Sequence, residues 1–432
     1  MKKLILFAAV LLTANMLFGQ INKIDTSFYS EALGEEKMVD VYFPPGYDEN
    51  PELYYPVIYC LPAWKSNQNE MSLYYLNSLQ SHINDSLIDP VIMVCANNNP
   101  PPFQGNMYVN SELWGNYEDY NVYDLIEWVE SSFRAIPLRD ARGLFGQSMG
   151  SHGSFRYGIL YKDKFRALAA HAGIVSLDKG LWLESSRQQV ILENPSGPPY
   201  FYNYSSGGVT AGLFLVSGAF SPDTNSPQTY INPQVVNYLL DENADYIDSV
   251  YQKFLDYDIT LMIQQLTPED NVGILFGCGV NDEFLLYPAN LALTDTLAML
   301  GLPFEFYSHN GGHGMPTGFR NRAFIFLDSL LMPPGIYNGT HQPTHQKIRF
   351  SMQNYPNPFD QRITIELTFR EKSEITVSIY NQLGGKVATI FEGSKEKGIH
   401  QLTWNSENIS PGIYFIKLQT DIGSTTQKII KR

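Results

Sequence analysis

The residues of this chain that could do chemistry begin with the pentapeptide Gly146-Gln147-Ser148-Met149-Gly150, a G-x-S-x-G pattern. An apolar run ending in Gly143-Leu144-Phe145 precedes it, and Ser151 to Tyr161 follows with Phe155, Ile159 and Leu160 on one helical face. A strand, a sharp turn and a helix in that order hold a serine strained, with its hydroxyl projecting at the carboxyl end of a sheet. The pattern alone also fits a plain strand-to-helix turn, so its partners decide. Ser148 is the candidate nucleophile.

A serine hydroxyl is a poor nucleophile at neutral pH and needs a neighbouring base to take its proton and later return one to the departing group. His313, in Ser308-His309-Asn310-Gly311-Gly312-His313-Gly314, follows the strand-like Pro303 to Tyr307. Asp282, in Cys278-Gly279-Val280-Asn281-Asp282-Glu283, follows the strand-like Val272 to Gly277. An acid there would hold the imidazole in one tautomer and stabilise its cation. The chemistry is acyl transfer at a carbonyl carbon. Its oxyanion calls for backbone donors, Met149 and either Ala63 or Trp64, since Pro62 has no N–H.

Each role has rivals. His309 abuts a strand end, whereas His313 sits among glycines and can reach over the site; Glu283 adjoins Asp282, and Asp295 falls in a helix. His152 and His171 read as packed structural histidines, and His82, His341, His345 and His400 as surface or loop residues. No cluster has metal-ligand spacing, and neither a metal nor any other cofactor is expected. Cys60, Cys95 and Cys278 lie in or at the end of apolar strand-like runs and read as buried free thiols.

These residues require a sheet to carry them. Met38 to Phe43, Tyr54 to Leu61, Val91 to Ala96, the run to Phe145, Ala167 to Ala172, Val272 to Gly277 and Pro303 to Tyr307 read as strands. Met71 to Ile83, Val122 to Phe133, Ser151 to Tyr161 and Pro288 to Leu300 read as helices between them. Alternation of this kind predicts an α/β domain with a mostly parallel, doubly wound sheet. Ser148, Asp282 and His313 then emerge at one edge of it. The stretch 176–270 is too long for a connection and reads as an insertion over the site, with loop chemistry from Ser217 to Asn225 and helices between Asn232 and Leu266. Aromatic residues there and nearby, Tyr200, Tyr202, Trp114 and Trp64, are candidate pocket walls, though such clusters also pack as core.

The chain has 432 residues and a formal net charge of -15, which excludes nucleic acid and anionic membrane surfaces as expected partners. Lys2 and Lys3, the apolar run Leu4 to Leu12 and the small residues up to Gly19-Gln20 have the order of a signal peptide over residues 1–20. No other segment reaches eighteen uninterrupted apolar residues, so no stable membrane insertion is expected.

Val39-Asp40-Val41-Tyr42-Phe43-Pro44-Pro45-Gly46-Tyr47, Tyr55-Pro56-Val57-Ile58-Tyr59-Cys60-Leu61-Pro62 and Gly143 to Gly150 together resemble the putative esterase family of α/β-hydrolases, which includes feruloyl esterases, S-formylglutathione hydrolases, siderophore esterases and mycolyltransferases. The likeness covers about Ser27 to Leu331, within a domain expected over 21–332. It implies the chain order serine, acid, histidine, and puts Ser148, Asp282 and His313 on the family's triad positions. Pro62-Ala63-Trp64 departs from the histidine and glycines usual in the family, and Ser151 replaces a glycine.

A polar linker is expected over 333–350, and 351–432 reads as a small all-β sandwich of six alternating strands from Ile363 to Ile430. From Met352 onward there are ten Lys and Arg against eight Asp and Glu, while the rest of the chain holds 19 against 36, so the acidity belongs to the larger domain. Asn354-Tyr355-Pro356-Asn357-Pro358-Phe359, Ile375 to Asn381 and Ser410 to Phe415 resemble the C-terminal sorting domain of type IX secretion, which implies that secretion machinery as a partner and a secreted or cell-surface location. A carbohydrate-binding sandwich is the competing reading, with Trp404 and Tyr414 its only aromatic platform. The expected activity is that of a secreted serine esterase working through an acyl-enzyme on an extracellular carboxylic ester, such as acyl or feruloyl groups on polysaccharide. An acyltransferase on the same fold and a non-catalytic surface binding protein are the alternatives.

Overall fold

The computed structural model describes residues 19–101, 103–223, 225, 236–337, 350–355, 357–369, 372–381, 385–396, 398–406, 409–420 and 423–432. The signal-peptide expectation falls almost wholly outside these residues, as does most of the expected linker. The chain divides into two compact units, 1–337 and 338–432.

The first unit is built on eight strands: β1 (Asn22–Ser30), β2 (Glu35–Phe43), β3 (Val57–Leu61), β4 (Ile92–Ala96), β5 (Arg142–Gln147), β6 (Ala167–His171), β7 (Gly273–Gly279) and β8 (Phe304–His309). Their order across the sheet is β1-β2-β4-β3-β5-β6-β7-β8. β1, β2 and β4 pair antiparallel, and all pairs from β4 onward are parallel. The α/β expectation holds.

Alternation explains why both faces are covered. Val57, Tyr59 and Leu61 of β3 join one apolar core while Ile58 and Cys60 join the other, and Ile92 and Val94 against Met93 and Cys95 of β4 divide likewise. The first core takes α2 (Leu125–Ser132), α3 (Met149–Leu160) and α7 (Tyr287–Met299), and the second takes α1 (Leu76–Asn84) and α8 (Thr317–Leu330). All three cysteines are buried free thiols.

Between β6 and β7 the chain adds α4 (Glu184–Glu193), α5 (Gly208–Phe220) and α6 (Asp248–Leu255). The loop expected from Ser217 is instead the last turn of α5. That helix is buried nearly all round, Val209 to Ala211 and Leu213 to Phe220 included. It therefore lacks the one-sided period that marks a surface helix, and two-sided packing against the insertion and the core stabilises it in its place. β1 was also not expected, because its outward residues are polar; nine register partners in β2 order it.

The second unit has two antiparallel sheets: β9 (Phe350–Tyr355), β10 (Arg362–Phe369) and β13 (Gly398–Asn405) in one, and β12 (Lys386–Lys395), β11 (Ser373–Asn381), β14 (Gly412–Thr420) and β15 (Gly423–Lys431) in the other. Ile363, Ile365 and Leu367 meet Val377, Ile379, Ile416 and Leu418 in one core, so the unit is a sandwich as its alternation predicts. Trp404 is buried in that core rather than offered as a platform.

Candidate active site

Ser148 stands one residue beyond β5, at φ 56° and ψ −117°, a conformation that non-glycine residues rarely adopt. What forces the turn is the close approach of neighbouring backbone. A Cβ on Gly150 would lie 1.8 Å from the Leu61 carbonyl oxygen, and one on Gly146 would lie 2.2 Å from the Gly150 carbonyl oxygen. Both motif glycines are thus required by contact. The Ser148 amide donates to the His171 carbonyl at the end of β6, at 2.8 Å, which ties the turn to the neighbouring strand.

Asp282 follows β7 and His313 follows β8, so all three side chains rise from the carboxyl ends of parallel strands. The structure brings them together. Ser148 Oγ lies 2.9 Å from His313 Nε2, and His313 Nδ1 lies 2.7 Å from Asp282 Oδ2. The network assigns the proton on Nδ1, donated to the carboxylate, leaving Nε2 to accept from the serine. Asp282 has a fully buried side chain, and its other oxygen accepts from the Phe284 amide at 2.9 Å. It is held fast.

The rivals have other partners. Glu283 accepts the His313 amide at 2.6 Å and so fixes the backbone of the histidine loop. His309 Nε2 lies 3.0 Å from His171 Nε2, and its Nδ1 accepts from the Gly311 amide. Burial lowers the pKa of His309, and takes that of His171 down to about 3, with the nearby His309 and His313 adding to the effect. His152 is fully buried, donates to the Ile174 carbonyl, and is pushed down by burial to about 4. Two neutral buried imidazoles therefore underlie the site. Burial, together with the neighbouring Asp282 carboxylate, pushes the Cys278 thiol up, so it stays protonated beside the acid.

The loop after β3 is held by four contacts. Tyr108 Oη donates to the Pro62 carbonyl at 2.8 Å, the Ala63 amide donates to Glu70 Oε2 at 2.7 Å, Trp64 Nε1 donates to the Phe103 carbonyl at 2.7 Å, and the Lys65 amide donates to Gln104. This corrects one expectation: the Ala63 N–H is spent on Glu70 and is not available to an oxyanion. The Trp64 amide makes no hydrogen bond to a described residue. Met149, at the first position of α3, has no acceptor within the helix. Glu70 is itself buried, and burial raises its pKa, against which the Ala63, Ser66 and Tyr75 hydrogen bonds act only partly. Tyr75 Oη lies between Glu70 Oε1 at 3.1 Å and Gln147 Oε1 at 2.8 Å, and Gln147 Nε2 donates to the His313 carbonyl. A polar chain thus joins the loop after β3 to the histidine loop.

Two cavities meet at Ser148 and His313. One, of about 510 Å³, is walled by apolar residues including Trp64, Met107, Trp182, Leu215 and Phe284. The other, of about 820 Å³, is lined by Ser66, Glu70, Tyr75, Gln147 and Arg320 among others. Trp64 borders both. The other three expected wall residues border neither: Trp114 packs against Gly218 of α5, and Tyr200 stacks on Tyr202, which stacks on Tyr238. The two tyrosine rings are thus occupied by stacking within the insertion. Sequence reasoning missed Trp182 and Phe284. Phe284 carried a usable signal, two residues beyond Asp282; Trp182 carried none. Among the described residues no group of three or more His, Cys, Asp or Glu is disposed to hold a metal ion.

A sequence family described as "Putative esterase" matches residues 30–299, and one described as "Secretion system C-terminal sorting domain" matches residues 353–432. Esterase MT1326 and esterase Rv1288, from two strains of Mycobacterium tuberculosis, are each 26% identical over 157 residues, which is 36% of this chain and 33% of theirs. The chain thus spans about a third of the length of these curated relatives. A solved ferulic acid esterase superposes with a TM-score of 0.51 at 16% identity, covering 72% of this chain and 100% of that one. At that identity the likeness bears on the fold alone.

Proposed function

The chain belongs to the putative esterase family, and from that premise we propose that it is a secreted serine esterase acting on a carboxylic ester through an acyl-enzyme. The observation that carries the reading is the hydrogen-bonded series Ser148, His313, Asp282 at the meeting of two cavities. In this mechanism Ser148 Oγ attacks the ester carbonyl while its proton passes to His313 Nε2. Asp282 stabilises the imidazolium that results. The amides of Met149 and Trp64 receive the oxyanion. His313 then gives the proton to the leaving alkoxide, the C–O bond breaks, and the alcohol departs. Water repeats the sequence on the acyl-enzyme, releasing the acid and restoring Ser148.

The sorting domain, with its own core, supports handling by a type IX secretion system and release or display outside the cell. No helix among the described residues is long and apolar enough to cross a membrane. A second reading, acyl transfer to an alcohol in place of water, is favoured by one observation: the polar cavity is wide enough to seat an acceptor. The test uses a p-nitrophenyl ester series with the native protein and Ser148→Ala. Hydrolysis that falls by about a thousandfold or more in the variant is expected; equal rates in both would overturn the assignment of Ser148. Repeating the assay with added alcohol distinguishes free acid from a new ester.

A further inference from the structure

In the wall of the apolar cavity at Ser148 the side-chain hydrogen-bond donors are already engaged. Apart from Ser148 and His313, the side-chain nitrogen or oxygen atoms of its wall residues are the two indole N–H groups. Trp64 Nε1 donates to the Phe103 carbonyl at 2.7 Å and Trp182 Nε1 to the Phe284 carbonyl at 2.9 Å. The wall carbonyls of Ile174 and Leu286 are taken by His152 Nδ1 and Asn290 Nδ2, each at 2.9 Å. Gly212, Leu215 and Val216 belong to α5, whose backbone is bonded within the helix. Among the described residues His152 Nε2, Asn290 Oδ1 and Ser217 Oγ are buried without a partner close to wall residues, and none of the three residues is part of the wall.

The second cavity has the opposite character, with the hydroxyls of Ser66, Tyr74 and Tyr75, the amide of Gln147 and the charges of Glu70 and Arg320. A departing alcohol needs solvation as it takes its proton from His313, and this side supplies it. The acyl half is left with the apolar side. We infer that the apolar cavity receives the acyl group and selects acyl groups without a hydroxyl, aliphatic or plain aryl, over phenolic and hydroxyalkyl ones. The inference rests on the esterase reading above and narrows it to a substrate class. A hydroxyl carried into this wall gives up its water and finds no vacant side-chain partner there, while the Met149 and Trp64 amides are engaged by the oxyanion, at a cost of roughly tenfold to a hundredfold in binding.

The test uses two ester pairs differing by one hydroxyl: methyl 3-phenylpropanoate against methyl 3-(4-hydroxyphenyl)propanoate, and methyl hexanoate against methyl 6-hydroxyhexanoate. Binding is read on full-length Ser148→Ala through tryptophan fluorescence, since Trp64 and Trp182 stand in the wall. Turnover of the same pairs is read as kcat/KM on the native protein. The unhydroxylated member of each pair should bind and react at least about tenfold better. Ratios within twofold, preference for the hydroxylated esters, or no fluorescence response to any of them would overturn the inference; preference for the hydroxylated esters would redirect attention to His152 Nε2. Native protein that binds with the expected preference but hydrolyses neither pair would sink the esterase reading and leave the selectivity of the cavity standing.

Discussion

The Ala63 amide is bonded to the buried carboxylate of Glu70 at 2.7 Å, and Glu70 is thereby tied to the loop whose next amide, that of Trp64, has no hydrogen-bond acceptor among the described residues. Glu70 touches no reacting atom; its effect would pass through the loop. Because a misplaced donor is nearly as costly as a missing one, Glu70→Ala should lower kcat by about tenfold to a hundredfold with little change in KM. Glu70→Gln, which keeps an acceptor oxygen, should recover most of that loss. Steady-state kinetics on a short p-nitrophenyl ester read both, and an unchanged kcat in Glu70→Ala would show that the loop does not depend on this tie.

Backbone contact and backbone strain predict opposite signs at two motif positions, Gly150 and Ser148. Gly150→Ala drives a methyl group into the Leu61 carbonyl and should destabilise the fold by about 3 kcal/mol or more. At Ser148, where φ is 56°, replacement by Gly should leave the protein roughly 1 kcal/mol more stable than replacement by Ala, because glycine adopts that conformation without strain. Urea midpoints of the three variants measure both effects.

Stability should fall on the acid side through two histidines that take no part in the proposed chemistry. Burial lowers His152 to about 4 and His171 to about 3, whereas in the unfolded chain both titrate near their ordinary value of about 6.5. Between those limits the unfolded state holds more protons, so the contribution is complete above about pH 6.5 and is lost as pH falls. Each histidine steepens the decline by up to about 1.4 kcal/mol per pH unit. Urea midpoints from pH 7 to pH 4.5 should fall less steeply for His152→Gln than for the native protein; parallel slopes would mean that His152 is not buried neutral.

What could be read in advance followed from position along the chain. Ser148, Asp282 and His313 each stand just beyond a strand-like apolar run, and parallel strands deliver their carboxyl ends to one edge, so their convergence is a topological matter. The choice among aromatic residues is not. Whether a ring walls a cavity or stacks on a neighbour depends on contacts distant in sequence, and Tyr202 found Tyr238 at 4.7 Å between centroids while Trp182 reached the site through Phe284. Glu70 was unreadable for a related reason: an acid at the start of a helix looks like a solvated charge until the Ala63 amide is seen upon it. α5 hid because burial on every side erases the period that betrays a helix.

The division of labour between sheet and insertion has a consequence for how such a protein can change over generations. The reacting side chains hang from β5, β7 and β8, whereas Val209, Gly212, Leu215 and Val216 of the cavity wall all belong to α5. Replacements along one face of a single helix can therefore redraw what the cavity admits without moving Ser148, His313 or Asp282. Diversification of diet need not be bought with loss of the reaction, and new specificities are reachable by one-residue steps that each leave a working catalyst.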